Sequence, residues 1–295
     1  MKQKQKACKI NGMNTALVLE GGGMRGMYTA GAIDVMMENS IPVDMITGVS
    51  AGAVFGCNYK SQQVGRAIRY NKRFCNDPRY SSFRSFIKTG DWFGAEFCYH
   101  DVPFKYDIFD VETYRKNPIK FYVVATDIVK GIPVYHEIPD GDEKDLAWMR
   151  ASASMPLVST VVEADGYKLL DGGMSDSIPL KKAMESGCKK YIVILTQPEG
   201  YQKKPNKMLP LLKLVYRKYP KVAELMARRH LMYNEELEFV KEQQKNGKVF
   251  VICPSRFQKI GRTERNPEVL QKMYDLGRQD CLKSLPALKE FLADN

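Results

Sequence analysis

The sequence predicts an α/β protein, a three-layer α/β/α sandwich around a mostly parallel central sheet. Two observations support this fold class. Short apolar runs that suit buried strands alternate with segments whose apolar residues recur at helical spacing, and glycine-rich turns separate them. The 295 residues contain neither an internal repeat nor a low-complexity linker, and they are enough for one large domain or two smaller ones.

Local patterns give the individual elements. Strands are predicted over residues 15–20, 43–49, 119–126, 132–138, 167–170, 191–196 and 249–253. Helices are predicted over residues 27–37, 143–152 and 266–292. Helical patterns also run from the second strand to about Phe74, and a long helical and basic stretch separates the last two strands. This order of strands and helices predicts a mostly parallel sheet.

The chain divides into three predicted parts. Residues 1–14 form a basic N-terminal tail, and residues 15–200 form the core. Within the core, residues from about 79 to 106 are rich in aromatic side chains and have poor helical periodicity, which predicts an insertion or cap outside the sheet. Residues 201–295 are predicted to form a helical, basic part that packs on the core and contributes one further strand.

Charge and cysteine content limit the classes of partner and compartment. The net charge of +11 allows nucleic acid, an anionic membrane surface or an acidic substrate as partner. Seven cysteines without a CxxC pair or a Cys/His cluster favour a reduced chain over a disulfide framework, and they do not predict a metal site. We see no signal peptide and no membrane-spanning run, so we expect a cytoplasmic protein whose membrane contact, if any, is peripheral.

A candidate nucleophile lies at the end of the second predicted strand, in Gly48-Val49-Ser50-Ala51-Gly52. The chain turns from an apolar strand into a run of small residues at Ser50, which favours a sharp strand-to-helix corner. The positive end of the new helix would lie beneath the serine, and Gly48 and Gly52 permit close approach of backbone and substrate. The pattern predicts a nucleophile elbow, although a plain turn of small residues can have the same sequence.

Residues 21–26 form a glycine loop with the spacing GxGxxG between the first strand and the first helix. A dinucleotide-binding loop also has this spacing, but its acidic residue ends the second strand, whereas Asp44 begins it. A P-loop is excluded because neither Lys-Ser nor Lys-Thr follows Gly26. No cofactor is therefore predicted for this loop.

The better interpretation of the loop is an oxyanion hole. Backbone N–H groups of Gly21, Gly22 and Gly23, at a helix N-terminus, would point at one spot. In a parallel sheet this loop and Ser50 lie at the same edge, so two weak motifs make one geometric prediction. Arg25 could hold the loop by a salt bridge or contact a phosphate, and an ordinary surface arginine is an equal alternative.

A nucleophilic serine needs a base. The chain has three histidines, His100, His136 and His230, and none lies in a loop directly after a predicted buried strand. The alternative is Asp171, which follows a predicted strand and precedes Gly172-Gly173, so its carboxylate should emerge at a sheet edge on a tight turn. A carboxylate with an ordinary pKa of about 3.9 is a poor base and would need burial or a tuned hydrogen bond.

These motifs together resemble the patatin-like phospholipase family. The resemblance rests on residues 21–26, on residues 48–52, on Asp171-Gly172-Gly173, in that order, and on residues 151–156, and it covers about residues 15–195. It implies that Ser50 is the nucleophile, Asp171 its base in a dyad without histidine, and Gly21 to Gly23 the oxyanion hole. The implied reaction is hydrolysis of lipid acyl esters through an acyl-serine intermediate, without metal or cofactor. Residues 260–265 and the helix after them resemble a bacterial branch of the family.

Two segments bear on the substrate. The aromatic insertion could line an acyl pocket or form a lid, or it could be a satellite cluster packed on the core. Residues 203–230 carry nine lysines and arginines and one acidic residue among leucines, which suits an anionic bilayer or a solvated basic face. Three further hypotheses remain open, namely an esterase with a histidine triad, a nucleic-acid-binding module and a non-catalytic lipid-binding protein. We do not expect nucleic acid as a partner, because no recognised motif accompanies the charge.

Overall fold

A computed structural model describes residues 14–294 of the chain. The predicted basic tail, residues 1–14, lies almost wholly outside the described residues. Within them, the sheet has eight strands: β1 (Thr15–Leu19), β2 (Met45–Val49), β3 (Lys120–Asp127), β4 (Ile132–Glu137), β5 (Val162–Ala164), β6 (Tyr167–Asp171), β7 (Lys190–Ile194) and β8 (Val249–Ile252). The hydrogen-bonded order is β5-β6-β3-β2-β1-β7-β8, with β4 paired to β3.

The predicted strands lie within a few residues of the observed ones, and β5 is the strand that the sequence patterns missed. Strands β8, β7, β1, β2 and β3 are parallel, whereas β4, β5 and β6 pair in antiparallel fashion. The three-residue β5 is too short to show a periodic pattern of its own. The prediction of an α/β fold with a mostly parallel sheet is confirmed.

Ten helices surround the sheet in the described part of the chain. They are α1 (Met27–Glu38), α2 (Ala51–Lys60), α3 (Arg66–Phe74), α4 (Phe83–Thr89), α5 (Val111–Lys116), α6 (Glu143–Ala153), α7 (Leu180–Met184), α8 (Leu209–Val215), α9 (Pro220–Lys245) and α10 (Pro267–Ala293). Among them, none combines the length and hydrophobicity that crossing a bilayer requires. A wide π-helical segment, Phe97–Tyr106, ends the aromatic insertion.

Alternate residues of β1 show that helices cover both faces of the sheet. Leu17 and Leu19 belong to a cluster with residues of α1, α2 and α10, whereas Ala16 and Val18 belong to a second cluster with residues of α7 and α9. Side chains of a strand alternate between its two faces, so the two clusters occupy opposite sides. The result is the predicted three-layer arrangement, and it leaves the strand ends as the accessible edge.

The register of the sheet brings several chain segments to one point. Leu19 of β1 is paired with Gly48 of β2, so the residues two positions further on, Gly21 and Ser50, are neighbours at the carboxyl edge. Val49 is paired with Val124 of β3, and Asp171 of β6 is paired with the next residue, Ala125.

Strands β2 and β6 meet end to end along one side of β3. Ala125 also pairs with Val134 of β4, and Val124 pairs with Tyr135 of β4, so β4 occupies the other side of β3. Strand β6 runs antiparallel to β3 and therefore approaches the end of β2 from the opposite direction. Asp171 ends this strand instead of following it, and its carboxylate reaches the Ser50 corner because the two strands converge there.

Candidate active site

Ser50 forms a sharp corner between β2 and α2. Its backbone lies at φ 53° and ψ −120°, in a region that residues with a side chain rarely adopt, and the serine is 5% exposed. Its carbonyl accepts hydrogen bonds from the Ala53 and Val54 amides, so α2 begins directly after the corner. A strained backbone of this kind persists only where the surroundings hold it, and such strain is concentrated at functional sites.

The corner is held by Ser152, on α6, to which the sequence analysis gave no role. The Ser50 amide donates to Ser152 Oγ at 2.9 Å, and the Ser152 hydroxyl donates to the Val124 carbonyl at 2.6 Å. Ser152 is fully buried and thereby links the elbow to β3. The only sequence signal was its place in residues 151–156, ahead of Asp171.

We expect Ser152→Ala to lower both stability and turnover. The change leaves the Ser50 amide and the Val124 carbonyl buried without this partner, at a cost of about 1–3 kcal/mol for each unsatisfied group. If Ser50 is the nucleophile, as the resemblance implies, loss of this anchor should lower kcat about tenfold, for roughly 1.4 kcal/mol of lost positioning, with KM little changed. Thermal unfolding and steady-state ester hydrolysis measure the two effects.

Ser186→Ala is the matched control. The Ser186 hydroxyl also donates to a backbone carbonyl, that of Ala183, and accepts from a backbone amide, that of Cys188, but at a loop before β7. A Ser152 variant that loses no more kcat than the Ser186 variant would contradict a positioning role for Ser152.

The glycine loop lies directly against the elbow. A methyl group on Gly21 would approach both the Ser50 Cβ and the Val49 carbonyl to 3.0 Å, so only glycine leaves the serine unobstructed. Gly22 precedes a short 3₁₀ turn, Gly23–Gly26, and Gly23 has a positive φ of 58°. Among the described residues, the amides of Gly21, Gly22 and Gly23 have no acceptor, and they are therefore available to an oxygen placed beside Ser50.

Asp171 faces Ser50 from the other side. Its Oδ1 accepts from the Gly173 amide at 2.8 Å, and a methyl group on Gly172 would lie 2.0 Å from the Val124 carbonyl, so the turn must begin with glycine. Burial raises the pKa of the Asp171 carboxyl above its ordinary value, while the nearby Ser50 hydroxyl and the charge of Arg229 partly oppose the increase. A buried carboxylate with a raised pKa is a better proton acceptor than an exposed one.

Helix α9 supports the turn after Asp171. The Arg229 guanidinium donates from Nε to the Gly173 carbonyl, and the Glu236 carboxylate accepts from the amides of Ser177 and Ile178 at 3.2 and 3.1 Å. These contacts fix the end of the Asp-Gly-Gly turn from a part of the chain that is distant in sequence.

The other motif glycines, Gly26, Gly48 and Gly52, lie where helix α2 packs against the ends of the strands and against the glycine loop.

An apolar cavity opens on one side of Ser50. It has a volume of about 120 Å³, and the aromatic insertion forms much of its wall through Tyr80, Phe93, Tyr99 and Val102. Its charged residues have partners, since Arg150 pairs with Asp91 at 3.1 Å and Arg66 lies 3.6 Å from Asp107. The insertion therefore both packs on the main core and lines this cavity.

A second cavity, here called the cationic cavity, also has Ser50 in its wall. It has a volume of about 410 Å³, and its wall includes the glycine loop, Asp171, Arg25, Arg229 and Arg262. Arg25, predicted as a loop anchor, a phosphate contact or a surface residue, lies in this wall and forms no salt bridge within the described residues. Sequence patterns did not single out Arg229 or Arg262 for the site, because both come from distant segments.

The three histidines lie away from Ser50. His100 is at the surface of the insertion, 3.5 Å from Glu96, and His136 stacks on Trp148 with a ring separation of 4.0 Å. His230, on α9, borders a neighbouring cavity. Across residues 14–294, no histidine lines either cavity that contains Ser50, and the surface group of Glu96, His100 and Asp101 lines neither of them.

Comparison with known proteins identifies the family. A family model described as patatin-like phospholipase matches residues 17–184, which is more than half of the chain. A second model, described as a domain of unknown function (DUF6363), matches residues 219–293.

Individual relatives are distant. An uncharacterized protein YjjU of Escherichia coli is 29% identical over 280 residues, covering 89% of this chain and 74% of that protein. Lysophospholipase NTE1 of Kluyveromyces lactis is 28% identical over 187 residues, covering 61% of this chain and only 12% of that protein. The crystal structure of VipD from Legionella pneumophila aligns with a TM-score of 0.47 at 12% identity, covering 93% of this chain and 67% of that one.

Proposed function

This chain belongs to the patatin-like phospholipase family, and we propose that it is a serine hydrolase of lipid acyl esters with a Ser50–Asp171 dyad. The observation that carries the proposal is the meeting of Ser50, Asp171 and the unpaired amides of the glycine loop at one point between two cavities. Family membership supports the reaction class, and the geometry supports the roles of individual residues.

In the proposed mechanism, Ser50 Oγ attacks the acyl carbon while its proton passes to the Asp171 carboxylate. The amides of Gly21, Gly22 and Gly23 stabilise the negative charge that develops on the carbonyl oxygen. The protonated Asp171 then gives its proton to the leaving alcohol. Water repeats the sequence on the acyl-serine, with Asp171 again accepting a proton, and releases the fatty acid.

The two cavities suggest how a lipid ester is oriented. The acyl chain lies in the apolar cavity under the insertion, and the alcohol portion lies in the cationic cavity. An esterase with a histidine triad is less well supported, because no histidine borders the Ser50 cavities in the described chain. No observation favours nucleic acid as a partner. A cytoplasmic location remains a prediction of the sequence.

The direct test is labelling of the purified protein with a fluorophosphonate, followed by hydrolysis of a neutral ester such as a short-chain p-nitrophenyl ester. The proposal expects one covalent label on Ser50 by mass spectrometry and catalytic turnover without added metal. A protein that binds fatty acid but neither labels nor turns over would be the non-catalytic lipid-binding alternative.

We further propose that part of residues 203–230 contacts an anionic bilayer. The outer side of α8 and the turn after it exposes Leu211, Leu214 and Val215 among Lys213 and Lys218. This combination of exposed apolar and basic side chains suits the interface of an anionic membrane. Other cations of the segment, including Arg229, line a cavity instead, so only the outer residues are assigned to the membrane.

We expect Leu214→Glu to weaken binding to vesicles that contain anionic lipid by about tenfold or more, because it removes an apolar contact worth roughly 1.5–3 kcal/mol and adds a like charge. Flotation with neutral and anionic vesicles measures the effect. Leu282→Glu on α10 is the control, since Leu282 is exposed to a similar degree, at 49% against 69% for Leu214. Equal binding of the wild type to neutral and anionic vesicles would contradict the electrostatic part.

A further inference from the structure

We infer that the cationic cavity binds the phosphate group of an acyl ester substrate, so that the enzyme prefers esters with an anionic, phosphate-bearing alcohol portion. The inference rests on the proposed function of Ser50. It concerns Arg25, Arg229 and Arg262, and it assigns a role to the part of the chain that lies beyond the patatin-like match.

The three arginines come from separate elements and meet in one wall. Arg25 lies in the 3₁₀ turn of the glycine loop, Arg229 in the middle of α9, and Arg262 in the loop between β8 and α10. The Arg262 carbonyl accepts from the Met24 amide at 3.0 Å, which ties this loop to the glycine loop. This backbone contact holds the loop that carries Arg262 against the glycine loop that carries Arg25, and the Arg262 side chain is itself exposed to solvent.

These positive charges lack carboxylate partners. Within the described residues, neither Arg25, Arg229 nor Arg262 has an acidic oxygen within 4.0 Å, although many surface cations of the chain do. The Arg25 Nε atom is buried and has no hydrogen-bond partner among them. A buried guanidinium N–H without a partner is costly, so its presence beside the nucleophile points to an anionic ligand.

The nearby acidic group forms no salt bridge with the three arginines. Glu20, before the glycine loop, is buried, and its two oxygens accept from the Tyr233 hydroxyl at 2.7 Å and the Thr196 amide at 2.6 Å. The positive charge of this region also affects Lys203, which lines the adjoining cavity. Burial, and to a smaller extent the charge of Arg229, lower the pKa of the Lys203 ammonium group to about 7. Arg229 and Arg262 line both cavities, so the positive region is continuous.

Guanidinium groups match the geometry of phosphate oxygens, since each can donate two parallel hydrogen bonds. A quaternary ammonium group needs the opposite surroundings, an aromatic cage or free carboxylates. The cationic cavity offers only Asp171, the proposed base, among acidic residues. A phosphomonoester should therefore bind better than a zwitterionic choline ester with the same acyl chain.

Binding is tested without turnover in the Ser50→Ala protein, titrated with glycerol 3-phosphate by calorimetry. We expect saturable binding that weakens about tenfold or more when Arg262→Gln is added, because charge-assisted hydrogen bonds are lost. The backbone contact of Arg262 with Met24 is unaffected by this change. Arg256→Gln is the control, since Arg256 is an exposed arginine of the same loop that lines neither cavity and carries the same charge.

Kinetics then compare short-chain esters below their micellar concentration: a lysophosphatidic acid, a monoacylglycerol and a lysophosphatidylcholine with one acyl chain. We expect kcat/KM for the phosphomonoester to exceed both others about tenfold or more. Arg262→Gln should remove most of this preference, because it lowers kcat/KM for the phosphomonoester far more than for the monoacylglycerol. The Arg256→Gln protein should keep the preference.

Each other outcome overturns the inference in a distinguishable way. Equal hydrolysis of the three esters removes the phosphate preference but leaves the proposed function intact. Hydrolysis of none of them, with glycerol 3-phosphate still bound, removes the proposed function. If added inorganic phosphate alters hydrolysis of the monoacylglycerol while the three esters are hydrolysed equally, the cavity binds free phosphate and not a substrate head group.

Discussion

Replacement of Ser50 by alanine is expected to abolish ester hydrolysis, with a loss on the order of 10⁴- to 10⁶-fold in kcat. The hydroxyl oxygen is the atom that becomes acylated in the proposed mechanism. Among the described residues, Ser50 is the serine that lines the cavity formed by the glycine loop and Asp171. The backbone of the corner is set by Ser152 and α2, so alanine should fold in place. The measurements are neutral-ester turnover and fluorophosphonate labelling of the purified variant.

Ser61→Ala provides the matched control. Ser61 is also buried and follows the other end of α2, where its hydroxyl donates to the Asn58 carbonyl at 3.3 Å. It should label and turn over like the wild type. If the Ser50 variant kept its label at another residue, together with measurable turnover, the nucleophile would have to be reassigned.

The individual motifs were predictable because each depends on local rules. One motif is a glycine loop that follows an apolar strand, and the other is a serine between glycines that follows the next strand. Both can be recognised from the residue pattern of the strand before the motif and of the helix that starts after it. Since both strands are parallel and adjacent, the contact between Gly21 and Ser50 follows from their register. The fold class was predictable for the same reason.

The approach of Asp171 was less accessible to sequence reasoning. A strand run ending in Asp-Gly-Gly predicts a turn, but the direction of β6 depends on long-range pairing with β3. Local propensity contains no information on parallel or antiparallel pairing of distant strands. The sequence therefore indicated the residue, and the structure shows the opposed arrangement of β2 and β6 that brings it to Ser50.

The residues that sequence reasoning missed share one property. Ser152 braces the elbow across the sheet, and Arg229 and Arg262 reach the cavity from α9 and a loop more than 170 residues after Ser50. Each is an ordinary residue in its own neighbourhood, a helical serine or an exposed basic position. Their roles arise only from tertiary convergence, which periodicity and motif spacing cannot display.

The second large effect is expected at Asp171, where replacement by asparagine should lower kcat/KM by about 10²- to 10⁴-fold. Asparagine keeps an oxygen for the Gly173 amide, so the turn should persist, but it cannot accept the serine proton. The comparison variant is Asp34→Asn. Asp34 is a buried carboxyl whose pKa burial raises to about 6, and it accepts from the Tyr274 hydroxyl at 2.6 Å, away from both cavities.

Stability and pH dependence separate a base from a structural carboxylate. Burial raises the pKa of Asp171 in the folded protein, so the neutral carboxyl stabilises the fold at a pH below the ordinary carboxyl pKa. This contribution to the free energy of unfolding is lost as the pH rises through the raised pKa. Asparagine imitates the neutral form, so Asp171→Asn should be at least as stable as the wild type near pH 8 while turnover is lost. Wild-type kcat/KM should fall as pH decreases through the raised pKa, because the protonated carboxyl is not a base. A variant that retained full activity with the same acid limb would show that another group accepts the proton.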